Sequence, residues 1–122
     1  MAAVRRQDRL RDEIKKAVSE IIQTRMKDPH IGFVTVTDVE LTKDLQFAKV
    51  FYSVYGDTTS QRETNRSLQK ARGFIQSELG QRIRVRKLPT LQFEIDHSAE
   101  RGMRIQELLN QIEKEDDNSR QD

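Results

Sequence analysis

The 122-residue chain predicts a single α+β domain, a three-stranded sheet packed on helices. Three observations carry that prediction. Apolar residues recur at three- and four-residue steps over 6–26, 60–81 and 98–112, and at alternate positions in three short stretches between them. The order is α-β-β-α-α-β with a closing helix. A chain of this length can bury roughly two-thirds of its unfolded surface and has little room for a second domain. The domain is expected over 1–112, with an acidic flexible tail over 113–122.

Residues 6–26 place Leu10, Ile14, Ala17, Val18, Ile21 and Ile22 on one helical stripe. Asp28-Pro29 ends it, because a residue before proline is pushed out of the helical region. Residues 33–41 are rich in β-branched side chains. The alternation of Val34 and Val36 shifts at Val39 and Leu41, which predicts a bulge or bend near Asp38. Lys43-Asp44 marks a turn into a second strand over 45–55. There Ala48, Val50, Tyr52 and Val54 share one face, and Lys49, Phe51, Ser53 and Tyr55 the other. Gly56–Ser60 carries helix-capping chemistry. Leu68, Ala71, Ile75 and Leu79 then form a helical stripe. Gly73 inside it costs about 1 kcal/mol relative to alanine and predicts a kink, a close backbone approach or a boundary between two helices. Residues 91–95 alternate Leu91, Phe93 and Ile95 as the third strand. Asp96 or Ser98 caps a last helix with the stripe Ile105, Leu108, Leu109 and Ile112.

Cysteine is absent, which excludes disulfides, thiolate metal sites and cysteine nucleophiles and fits a reducing compartment. Apolar residues make up 34% of the chain and charged residues another 34%. No apolar run reaches the length of a membrane span, and the arginine-rich start lacks the apolar core of a secretory signal. A cytoplasmic protein is the expectation. The net charge of +2 conceals a segregation. Residues 61–90 hold eight basic and two acidic residues, whereas residues 91–122 hold four and nine. A basic middle followed by an acidic end points to a surface that faces a polyanion.

No catalytic constellation emerges. His30 and His97 lie far apart without metal-ligand spacing, so they read as ordinary loop or strand-end histidines. No nucleophile elbow and no phosphate-cradling glycine motif occurs, and no metal or cofactor is expected. Binding remains. Three basic groups carry it: an N-terminal group led by Arg5, Arg6 and Arg9; Arg62, Arg66, Lys70 and Arg72 on the interrupted helix; and Arg82, Arg84, Arg86 and Lys87 before the third strand. Arg62, Arg66 and Lys70 recur every four residues along one stripe. If the helix is interrupted at Gly73, a second helix start would add phosphate-attracting N–H groups there. In an extended segment Arg82, Arg84 and Arg86 would point to one side. The plain alternatives are a helix end for Arg82, Arg84 and Arg86, where cations offset the carbonyl dipole, a disordered basic start for the N-terminal group, and a solvated charged face with chance clustering for the charge sorting as a whole. Phe47, Tyr52, Phe74 and Phe93 read as core packing rather than as a base-stacking platform.

The element order is that of a type II KH domain, whose helix pair is joined by a GxxG loop that clamps nucleic acid. Here the join reads Ala71-Arg72-Gly73. Together with VTDVELTKDLQFAKVFYSVYGD at 36–57, KARGFIQSELGQRIRVRKLPTLQFEIDHS at 70–98 and GMRIQELL at 102–109, the sequence resembles the ribosome-binding factor A family. The resemblance implies a non-enzymatic factor that binds the 30S subunit and 16S rRNA during late maturation, supports processing of the rRNA ends and is needed most in the cold. It also implies a helix–kink–helix at Ala71, Arg72 and Gly73 with rRNA against the cations around it. Nothing in the sequence demands more than a monomer. The runner-up is a general KH-type single-stranded nucleic-acid binder, and a third reading is an adaptor for an acidic protein.

Overall fold

Helix α1 (Ala2–Arg25), strands β1 (Val34–Leu41) and β2 (Phe47–Val54), helix α2 (Thr58–Arg82), strand β3 (Thr90–Ile95) and helix α3 (Ser98–Gln121) follow in that order. They are seen in a computed structural model that describes residues 2–26, 31 and 33–121, with the backbone alone at 2–5, 99–100 and 116–121. His30 lies outside the described residues.

β1 and β2 form an antiparallel hairpin, and β3 adds parallel to β2, giving the sheet order β1-β2-β3. The expected bulge is present: Val36 faces Tyr52, and the next facing pair is Asp38 with Phe51. The extra residue, Thr37, donates its hydroxyl to Asp96 Oδ2 at 2.5 Å, tying β1 to the segment that leaves β3. β2 starts at Phe47 rather than at Leu45. Thr42 donates to Asp44 Oδ1, Asp44 accepts the Gln46 N–H, and Leu45 N–H bonds Thr42 O, so the turn holds Leu45 at φ 58. That left-handed conformation takes Leu45 out of any strand.

The helices cover one face of the sheet. Ile14, Val18 and Ile21 of α1 and Leu68, Ile75 and Leu79 of α2 are fully enclosed against Val39, Ala48, Val50, Tyr52 and Leu91. At 25 cal/mol per Å², enclosing each large aliphatic side chain contributes about 1.5–3 kcal/mol. Tyr52 buries its hydroxyl too, donating to Asn65 Oδ1 on α2 at 2.5 Å, and burial pushes its ionisation up to about 12. Phe93 joins the core as the alternation predicts, but Phe47 and Phe74 do not, each remaining about two-fifths exposed. β3 is an edge strand, and its unpaired backbone groups are met from α2. Gln76 donates to Pro89 O and accepts from Leu91 N–H, and Gln69 donates to Phe93 O. Both glutamines lie on one flank of α2, seven residues apart, and seal an edge that would otherwise invite pairing.

α2 corrects the expectation of two helices. It opens on Asp57, whose carboxylate accepts the Ser60 N–H at 2.8 Å, and runs unbroken to Arg82. Gly73 is an interior helical residue. A Cβ built there meets nothing within 4 Å, so no close approach within the described residues requires a glycine. The cost of one glycine, about 1 kcal/mol, is outweighed because both halves of the helix dock on the core. The element order is therefore α-β-β-α-β-α.

Asp96, two residues before α3, accepts both the N–H and the hydroxyl of Ser98, the first residue of the helix. These bonds and that from Thr37, the Ser98 hydroxyl foremost, hold the Asp96 carboxyl down at about 2. α3 continues past Ile112, where its end was expected, to Gln121. Its stripe is not core. Met103, Ile105, Leu108, Leu109 and Ile112 are each about half exposed or more. No helix among the described residues is long and apolar enough to cross a membrane.

Candidate functional site

The eleven cations singled out in the sequence fall into three settings. Arg62, Arg66 and Lys70 are exposed on α2. At about 100° per residue they lie opposite the Leu68–Ile75–Leu79 stripe, so the helix presents them to solvent as one row. Arg72, grouped with them by sequence, falls instead on the flank of Gln69 and Gln76, toward β3, and is also exposed. Ala71 is half-buried and packs against the core, while Gly73 is exposed near the cationic row.

The segment after α2 is not the alternating strand that Arg82, Arg84 and Arg86 suggested. Arg82 is the last helical residue and donates to Glu20 of α1 at 3.0 Å. It braces α1 against α2, as does Arg25 with Glu78 at 3.4 Å. Ile83 turns into the core with its N–H on Leu79 O, which closes the helix. Arg84, Arg86 and Lys87 are exposed beyond it, the last two in a bend. Lys87 lies near the β1–β2 turn. Asp44 there is held below the usual carboxylate range by the Thr42 hydroxyl first, then by Gln46 N–H and, more weakly, by the Lys87 ammonium.

The N-terminal cations stand on a helix rather than on a loose arm, since α1 begins at Ala2. The Arg5 side chain lies outside the described residues. Arg6 and Arg9 meet Arg84 around an open groove whose remaining walls are Gln7, Leu10, Glu13, Leu45 and Val85. The fold thus brings together cations about 75 residues apart, which spacing alone does not reveal. Sequence reasoning missed the apolar part of this groove because Leu45 reads as strand and Val85 as a neutral interruption of a basic run. No group of three or more His, Cys, Asp or Glu side chains placed to hold a metal occurs among the described residues.

This chemistry can bind a polyanion. Guanidinium groups pair phosphate oxygens through two N–H bonds at once, and exposed rows of them supply affinity that falls with salt. Acids are fewer among these cations, Glu63 and Glu78 on α2 and Glu13 on the groove wall; others are exposed away from them, Asp38, Glu40 and Glu94 in β1 and β3 and Glu107, Glu113 and Glu115 on α3.

Comparison with known proteins gives one consistent family. The family model described as ribosome-binding factor A matches residues 6–109. Ribosome-binding factor A of Natranaerobius thermophilus is 48% identical over 113 residues, covering 93% of this chain and 86% of that protein. The Staphylococcus carnosus protein of the same name is 46% identical over 111 residues, covering 91% and 96%. The crystal structure of ribosome-binding factor A from Thermus thermophilus superposes with a TM-score of 0.68 at 28% identity, covering 75% of this chain and 97% of that one. A homology model of the Thermus thermophilus factor, fitted into a cryo-EM map of its complex with 30S, gives 0.61 at 29% identity, covering 71% and 91%. With the matched region running from the first turns of α1 into α3, the chain belongs to the ribosome-binding factor A family.

Proposed function

We propose that the chain binds the small (30S) ribosomal subunit through 16S rRNA and assists late maturation of that subunit. Processing of the rRNA ends is part of that role, and the need is greatest in the cold. The observation that carries the reading is the concentration of exposed cations between Arg62 and Lys87, on the outer row of α2 and beyond its end. Family membership supports it, as does the complex with 30S in which the Thermus thermophilus relative was placed.

The mechanism is differential binding rather than catalysis. A basic face docks on one arrangement of folded rRNA and raises its population relative to others by the difference in affinity. Ala71-Arg72-Gly73 replaces a GxxG clamp and lies inside an unbroken helix, so no strand is clamped at that point, and docking of α2 on folded rRNA rests on shape and charge. The factor acts as a monomer in the cytoplasm.

Sedimentation of the purified protein with isolated 30S, 50S and 70S particles tests the reading. Association with 30S is expected, reduced at least tenfold in the Arg66→Glu/Arg72→Glu/Arg84→Glu variant, as loss of several phosphate contacts requires. Cells lacking the protein are expected to accumulate unprocessed 16S rRNA at low temperature. Tight binding to short oligonucleotides without 30S association would favour a general single-strand binder instead.

A further inference from the structure

The groove between the start of α1 and the segment after α2 is more than a cationic patch. Its volume is about 570 Å³, within the roughly 300–1,000 Å³ of ordinary ligand sites. Arg6 and Arg9 line it from α1 and Arg84 from the segment after α2; Glu13 is the acidic residue on its wall. Leu10, Leu45 and Val85 supply apolar walls from three separate parts of the chain. Leu10 is partly buried on the core, and Val85 stays about two-fifths exposed.

Leu45 is the unusual member. It occupies the left-handed conformation that asparagine and glycine adopt more readily. The turn itself needs no leucine, because its hydrogen bonds come from Thr42, Asp44 and the backbone. What leucine adds is an apolar surface facing the groove.

We infer that this groove seats one unpaired nucleotide of rRNA, with the base against Leu10, Leu45 and Val85 and the flanking phosphates on Arg6, Arg9 and Arg84. The inference rests on the rRNA-binding reading above and adds a base-sized apolar site to it. Charge decides the occupant's sign: three guanidinium groups against one carboxylate select an anion. Shape decides its class. An amphipathic helix needs apolar contacts along two turns, whereas three side chains offer area for one planar base. Sequence-selective RNA recognition commonly works on such unstacked bases.

Two variants of the full-length protein test this. Leu45→Asn suits the left-handed turn, so the melting temperature is expected within a few degrees of wild type. Affinity for 30S is expected to fall about tenfold through loss of buried apolar contact. A photo-crosslinking residue at Val85→p-benzoylphenylalanine is expected to join the protein to a single unpaired nucleotide of 16S rRNA. Unchanged 30S affinity of Leu45→Asn, or a crosslink to a ribosomal protein instead of rRNA, overturns the inference while leaving rRNA binding intact. Failure of the wild-type protein to sediment with 30S would instead remove the underlying reading, and the inference with it.

Discussion

Asp96 joins three parts of the fold with one carboxylate. It accepts the Thr37 hydroxyl from the bulge in β1 and the Ser98 N–H and hydroxyl at the start of α3. Those bonds favour the ionised form and depress its pKa to about 2, against about 3.9 for an unfolded aspartate. Because the folded value is the lower one, the associated stability is fully present above pH 4 and is lost as pH falls towards 2. Asp96→Asn removes the charge at every pH. Denaturant unfolding is therefore expected to show wild type more stable than Asp96→Asn at pH 5, with the gap closing by pH 2. A gap that stays constant across that range would mean that packing, not ionisation, sets the contribution of Asp96. Tyr52 works in the opposite direction: its folded value of about 12 exceeds the ordinary 10, so its contribution is fully present below pH 10 and is lost as pH rises towards 12.

At the scale of the element, α2 holds the clearest lesson. Its N-cap, its apolar stripe and its end near Arg82 are legible in the sequence, because Asp57, Leu68, Ile75 and Leu79 follow local rules. Its continuity through Gly73 is not, because the glycine penalty is local while the docking that outweighs it is tertiary. Since a Cβ at position 73 meets open space, Gly73→Ala is expected to stabilise the protein by about 0.5–1 kcal/mol. Thermal unfolding reads this directly. A lower melting temperature would show that the helix needs glycine's freedom at that point. The bulge at Asp38 was legible because the alternation of valines shifts phase between Val36 and Val39. The turn conformation of Leu45 was not, since an apolar residue before a strand reads as part of it. In the same way, Arg82 reads as one of a basic run, and only the fold reveals Glu20 of α1 beside it.

For the whole molecule, helices cover one face of a three-stranded sheet, and the cations gather on the outer side of α2 and at the groove beyond its end. The core elements were readable from periodicity, while the groove was not, because it is assembled from residues 6–13, 45 and 84–85. The apolar stripe of α3 gives a complementary case. Its periodicity is helical, yet Ile105, Leu108, Leu109 and Ile112 stay about half exposed and join no core among the described residues. Periodicity reports that a face is apolar, not what covers it. The sorting of charge along the chain, basic over 61–90 and acidic over 91–122, makes sense in a molecule whose central segment meets a polyanion.

The central claim is that these exposed cations carry the binding to rRNA. The most direct test is the salt dependence of 30S affinity for wild type and for Arg66→Glu/Arg72→Glu/Arg84→Glu. Each lost phosphate contact lowers the slope of log affinity against log salt by about one. The account predicts a steep wild-type slope that flattens by about two to three in the variant. Equal slopes, with 30S affinity retained, would contradict it and move the rRNA-binding face away from α2 and the segment that follows.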